Sequence, residues 1–149
     1  GESERAWQLF NMLNPIHHAD DQAKADHYRV EPYVSAADIY GQGSQLGRGG
    51  WTWYTGSAGW LYRVGIEALL GFHREGTSLV IDPVIPADWE EYSIQYRYIN
   101  TDYTFKIQNP EHLSSGVKTI RVDDRESEEN RINLADDGGS HHVVIILGK

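Results

Sequence analysis

The sequence predicts an α+β fold, helices first and strands after. Two observations carry this. Apolar residues recur at helical spacing up to Gly71, and beyond His73 the period drops to two. A third bears on completeness: three short amphipathic helices cannot bury their own stripes, which suit a larger helical array.

Helices are expected in three places. In "SERAWQLFNML", Ala6, Leu9, Phe10 and Leu13 follow an i, i+3, i+4, i+7 stripe, with Ser3 as N-cap and Pro15 as stop. "EPYVSAADIYG" predicts a second short helix, with Pro32 in its first turn, Val34, Ala37 and Tyr40 on one face, and Gly41 at its end. "GSAGWLYRVGIEALLG" predicts a third, with Trp60 or Leu61, Val64, Ala68 and Leu69 inward and Gly71 ending it. Residues 16–30 and 41–52 are expected to be polar or glycine-rich connections.

The strands follow. "SLVID" is a short apolar strand, and "YSIQYRY" alternates Tyr92, Ile94, Tyr96 and Tyr98 against polar neighbours. "DYTFKIQ" does the same with Tyr103, Phe105 and Ile107 after the turn "INTD". "VKTIRVD" and "NRINL" are weaker strands around the acidic loop 123–129, expected to be a solvated face. "HHVVIIL" is nearly continuous in apolar character, as in a strand covered on both faces. Short strands with regular turn signals read as half of a β-sandwich.

Composition excludes several functions. With 13 Lys and Arg against 22 Asp and Glu, the net charge of −9 argues against nucleic-acid or anionic-membrane binding, which needs clustered cations. The absence of cysteine removes thiolate metal sites. No apolar run approaches a membrane span, no signal-peptide pattern opens the chain, and its start in a helical pattern suggests a piece of a longer protein.

Three groups of residues invite chemistry. "GRGGWTWYTGSAGWLYR" leads a glycine-rich, tryptophan-rich approach into a helix. If Thr55 is the N-cap, the N–H groups of Gly56, Ser57 and Ala58 face outward at a positive helix end, an anion site. The same stretch also reads as an ordinary capped turn with Trp51, Trp53 and Trp60 packed in a core. Glu31 and Asp38, seven apart, would share a helix face about 10 Å apart, near the carboxylate separation of an inverting glycosidase; a capping Glu and a solvated Asp are the plainer reading. His17 and His18 with Asp20 and Asp21 offer weak grounds for a divalent site, and no HExxH pair is present.

The wording of "EPYVSAADIYG", "GRGGWTWYTGSAGWLYR", "ALLGF", "DPVIPADW" and the closing "INLADDG" and "HHVVIILG" resembles glycoside hydrolase family 94 over essentially the whole chain. That family holds the inverting glycoside phosphorylases and the C-terminal region of cyclic β-1,2-glucan synthases, and the tryptophan-rich stretch most resembles the synthase group.

The resemblance implies an architecture and a chemistry. Residues 1–72 would be the last helices of an (α/α)6 catalytic barrel, and 73–149 a C-terminal antiparallel, jelly-roll-like β-sandwich. The reaction would be phosphate-dependent inverting cleavage giving glucose 1-phosphate, or cyclic glucan synthesis. It uses inorganic phosphate as co-substrate and no cofactor. Thr55 and Gly56 of "YTGSA" would bind phosphate; Trp51 and Trp53 would face sugar.

In the cellobiose-type enzymes a sugar-binding glutamine closes the "EPYVxAQ" motif; here that position reads Ala37, followed by Asp38, so Asp38 or Gln42 would supply that contact, and β-1,2-glucan is the preferred substrate. The general acid is expected upstream, which leaves these 149 residues catalytically incomplete. Expected partners are a β-glucan oligosaccharide, phosphate and the rest of the barrel, with self-association of the chain alone. The implied setting is cytoplasmic, as the cytoplasmic region of an inner-membrane protein. Two further readings compete: a carbohydrate-binding β-sandwich using Trp51, Trp53 and Trp89 as platforms, and a purely structural module.

Overall fold

A computed structural model describes residues 2–127 and 130–149. The chain divides into two compact units, Arg5–Gly65 and a second built mainly from Ile66–Lys149. Helices and several sheets share the chain, as an α+β reading requires.

In the first unit, α1 (Glu2–Leu13) places Ala6, Leu9, Phe10 and Leu13 along one apolar cleft of about 380 Å³. Ala36, Trp60, Leu61 and Val64 line its other side. Ser3 lies inside the helix and does not cap it, because the chain is already helical at Glu2. Asn14 ends this run. Its side chain accepts from the Ile16 N–H and starts a 3-10 turn at Pro15–His18. A second helix, α2 (Gln22–Tyr28), stands where a connection was expected; Asp21 caps it through the Lys24 N–H at 2.9 Å.

The helix expected over 31–41 does not form. Residues 31–37 turn without helical bonding, and β1 (Asp38–Ile39) pairs antiparallel with β2 (Gly49–Gly50). Flanking bonds from Ala37 N–H to Trp51 O and from Tyr40 N–H to Arg48 O extend this ribbon. Long-range partners therefore capture the backbone groups a helix would have used internally. The small closed core of the unit is Tyr28, Val30 and Val34.

α3 (Thr55–Arg63) forms as expected and continues into a π-helical stretch, Val64–Leu69. Its inward set is smaller than predicted. Leu69 is buried, whereas Ala68 is exposed, and Trp60 and Val64 border the open cleft. Gly71 ends the run with φ +65°, and any side chain there would collide with the Asp82–Pro83 backbone.

Among the described residues, the second unit carries two sheets. One has three strands, β3 (Phe72–Glu75), β4 (Ser78–Ile81) and β9 (Arg131–Asn133), in the order β3-β4-β9. The other has five, ordered β5-β6-β10-β7-β8, from β5 (Glu91–Tyr98), β6 (Thr101–Gln108), β7 (Val117–Val122), β8 (Arg125–Glu126) and β10 (Ser140–Leu147). Alternation puts Tyr103, Phe105 and Ile107 of β6 and Val143, Ile145 and Leu147 of β10 inside. Phe72 joins the sheets, its ring 5.2 Å from Tyr96 and 5.1 Å from Phe105.

The expectation of purely antiparallel pairing fails at one ladder. β10 runs parallel to β6, from Ser140 opposite Asp102 to Ile146 opposite Gln108. Residues 109–139 intervene between them, long enough for the crossover that parallel neighbours need. β10 therefore occupies the middle of the sheet, with Val143, Ile145 and Leu147 buried and Val144 and Ile146 on its other face only half-buried, so the expected cover on both faces is partial. Asn109 is buried in this unit and fully used: its amide donates to Trp89 O and Leu113 O and accepts from the Leu113 N–H.

Two of the acidic-loop residues expected to form a solvated face, Glu128 and Glu129, lie outside the described residues. No helix among the described residues is long and apolar enough to cross a membrane.

Candidate functional site

The stretch running into α3 forms one wall of a cleft of about 150 Å³, lined by Tyr33, Val34, Ser35, Trp53, Tyr54, Thr55 and Ala58. Serine side chains tie its two walls. Ser57, in the first turn of α3, sits 3.1 Å from the Ser35 hydroxyl and donates to Ala36 O at 3.3 Å. That contact fixes "EPYVSA" against the helix start, so Tyr33 and Trp53 meet edge to face at 6.3 Å.

The helix start differs from the expectation in one respect. Thr55 is the first helical residue, and Tyr54, the capping residue, contributes no side-chain bond. The Ala58 N–H is taken by Tyr54 O at 3.2 Å. Hence the outward N–H groups of the first turn are those of Thr55, Gly56 and Ser57. Gly56 is exposed, and a Cβ there would meet no heavy atom within 4 Å.

The tryptophans do not pack a core. Trp51 and Trp53 are 70% and 68% exposed, and Trp60 is 67% exposed. Both Trp51 (φ +50°) and Trp53 (φ +62°) hold left-handed backbone, which a bulky residue adopts only when its surroundings impose it. The bond from Ala37 N–H to Trp51 O and the Tyr33 contact are those constraints. Trp51 leans edge to face on Tyr54 at 6.4 Å. The result is a run of large aromatic faces open to solvent beside a helix N-terminus.

The other predicted residues fall outside this cleft. Asp38 lies on β1 beside Gly50, whose missing side chain makes room for its carboxylate; a Cβ there would stand 2.7 Å from Asp38 Oδ1. Gln42 is exposed, leading into the 3-10 turn Gly43–Gln45. Glu31 and Asp38 share no helix face, because no helix connects them. The paired-carboxylate idea has no geometric basis here. Trp89 belongs to the sheet unit, half-buried and edge-on to Tyr92 at 6.0 Å.

The histidine cluster also dissolves. His18 bonds Met12 O at 2.7 Å and stacks on Tyr28 at 4.7 Å, while Asp20 pairs with Lys24 and Asp21 caps α2. Among the described residues no group of three or more His, Asp or Glu is placed to hold a metal ion.

Sequence reasoning missed Tyr33, Ser35 and Ser57 as site-forming residues. Tyr33 and Ser35 lay inside a segment expected to be helical, where they would not face Trp53. A signal was present in Ser57: a serine in a first helical turn reaches readily for a neighbouring carbonyl.

Exposed aromatic faces thus stand beside a helix start that carries no side-chain cap. Residues 1–71 match the model of the glycosyl hydrolase 94 superfamily catalytic domain, and the chain belongs to that family.

Among its relatives, the cyclic beta-(1,2)-glucan synthase NdvB of Rhizobium meliloti (strain 1021) is 53% identical over 120 residues, 80% of this chain and 4% of that protein. The N,N'-diacetylchitobiose phosphorylase of Vibrio proteolyticus is 32% identical over 149 residues, 99% of this chain and 18% of its own length. The solabiose phosphorylase of Paenibacillus borealis is 30% identical over 146 residues, 97% of this chain and 19% of its own length. The chain thus spans less than a fifth of the length of these relatives.

Proposed function

We propose that the chain supplies one wall of the active site of a carbohydrate-active enzyme that cleaves or remakes β-1,2-glucan. The bond would break with inversion, and inorganic phosphate would serve as the attacking group and co-substrate. The single observation that supports this most directly is the cleft in which Trp53 and Tyr33 stand beside the uncapped start of α3.

Phosphate would sit on the N–H groups of Thr55 and Gly56, with the Thr55 hydroxyl as a further donor. The aligned peptide dipoles of α3 stabilise negative charge at that end. Trp51 and Trp53 would present flat apolar faces to sugar rings. Asp38 and Gln42 would contact sugar hydroxyls further along the substrate.

Phosphate would attack the anomeric carbon from the face opposite the leaving sugar, while a carboxylic acid protonates the glycosidic oxygen. That acid is proposed to come from elsewhere in a longer protein, together with the rest of an (α/α)6 barrel. The two sheets would then be its two-layer, jelly-roll-like C-terminal domain. A cytoplasmic setting, attached to an inner-membrane protein, fits this reading.

The test uses the longer protein containing this chain, incubated with β-1,2-glucan and inorganic phosphate. Glucose 1-phosphate release should fall about a hundredfold in Thr55→Val, the scale seen when one donor to a developing charge is removed. Unchanged release would remove Thr55 from the phosphate site.

A further inference from the structure

The sheet unit contains an ionic cluster that no part of the proposed reaction uses. His141, at the start of β10, lies between two carboxylates. Its Nδ1 is 2.5 Å from Asp123 Oδ2, and its Nε2 is 3.1 Å from Asp137 Oδ2. Its side chain is only 19% exposed. The Tyr103 ring of β6 covers one side at 4.9 Å.

Both carboxylates are themselves fixed. Asp123 Oδ1 accepts from the His142 N–H at 2.9 Å. Asp137 Oδ1 accepts from the Gly139 N–H at 2.8 Å and from the Thr101 hydroxyl at 3.2 Å. The N–H groups of Asp137 and Gly138 in turn donate to Thr101 Oγ1, each at 2.9 Å. Thr101 is fully buried, so this anchor does not move with solvent.

The chemistry of the imidazole then decides its charge. Ionised carboxylates only accept hydrogen bonds, and a neutral imidazole has one N–H and one lone pair. Both contacts can therefore be hydrogen bonds only when both ring nitrogens carry protons. The neutral ring would turn a lone pair toward one of the carboxylates. Such a bridge also restrains an unusual turn. Asp123 and Asp124 are consecutive left-handed residues (φ +48° and +65°) between β7 and β8, a conformation that glycine would adopt more easily.

We propose that His141 is a proton-dependent latch. As an imidazolium it ties the β7–β8 turn and the loop 135–139 to the start of β10; on giving one proton to solvent it keeps one carboxylate and releases the other. The shorter contact, to Asp123, is the one retained, and the Nε2 contact to Asp137 opens.

The ionisable groups facing the ring are Asp123, Asp137 and the Tyr103 phenol. Asp123 also accepts from the His142 backbone N–H. The hydrogen bond to Asp123 chiefly, then the Asp137 contact, raises the affinity of His141 for its proton above the ordinary 6.5, more than burial lowers it. The sheet unit is therefore latched on the acid side of that raised value and loosens as pH rises through it.

The experiment is a pH titration of the 149-residue chain followed by ¹⁵N NMR of the histidine rings and of the amides of residues 136–139. The His141 midpoint should lie above 6.5, with both ring nitrogens protonated below it, and the loop amides should titrate with the same midpoint as the ring. Asp137→Asn should lower that midpoint by roughly half a pH unit or more, since a carboxylate is replaced by a neutral amide. Asp123→Asn should lower it further, and His141→Gln should abolish the loop titration. A His141 midpoint at or below 6.5, an unmoved midpoint in Asp137→Asn, or loop amides that still titrate in His141→Gln would each overturn the proposal.

Discussion

The two units of this chain treat apolar residues in opposite ways. In the sheet unit Leu79, Ile85, Phe105, Ile145 and Leu147 lose essentially all contact with solvent. In the helical unit the closed core is Tyr28, Val30 and Val34, while Leu9, Met12, Leu13, Trp51, Trp53, Trp60 and Tyr62 remain open. The sheet sequence is satisfied by its own strands. The helical sequence leaves a set of large apolar side chains open to solvent that the sheet unit does not.

The sharpest way to break this contrast is to truncate one large side chain in each unit. Phe105→Ala should cost about 3–5 kcal/mol in denaturant unfolding of the sheet unit, the range for emptying a packed core site. Trp60→Ala should cost under about 1 kcal/mol, because its ring is largely solvated. Equal costs would mean that the helical unit is as self-sufficient as the sheet.

Asn109→Ala comes next, at about 2 kcal/mol, since it removes the buried amide that serves the Trp89 and Leu113 carbonyls and the Leu113 N–H. Smaller still is the stability effect of Leu9→Glu with Leu13→Glu, expected within about 0.5 kcal/mol. Those changes should instead suppress concentration-dependent association in sedimentation, by charging the open stripe.

The smallest effect is ionic and confined to the sheet unit. The His141 contribution is complete below its ordinary 6.5 and is lost as pH rises through its raised value. Asp123 is held low mainly by its hydrogen bond to His141, and Asp137 mainly by the Gly139 N–H. Their contributions are complete above 3.8 and vanish as pH falls through the lowered values. A plateau between these limits, flattened in His141→Gln, is the expected unfolding profile.

Legibility in the sequence followed the same division. The strands could be read because each buries one face, so the alternation in "YSIQYRY" and "DYTFKIQ" survives folding. The parallel β6–β10 ladder could not, since alternation is the same for either strand direction.

In the helical unit, α2 was overlooked because "QAKADHY" has no apolar stripe, although Asp21 announced its cap. The 31–41 segment looked helical, but its partners Gly50, Trp51 and Ser57 are brought to it by the fold. For the same reason the site was half visible: the helix start at Thr55 could be inferred, and the aromatic wall built by Tyr33 could not.

The position of β10 carries a consequence for assembly. The strand that fills the centre of the five-stranded sheet follows all its neighbours in the chain, and β6 lies 31 residues before it, from Gln108 to Ser140 counting the residues between. Until residues 140–147 insert, the facing edges of β6 and β7 are unpaired and can recruit strands from other molecules. The sheet unit should consequently fold slowly for its size, in the manner of proteins dominated by distant contacts. Its most vulnerable moment for aggregation is the interval before that last insertion.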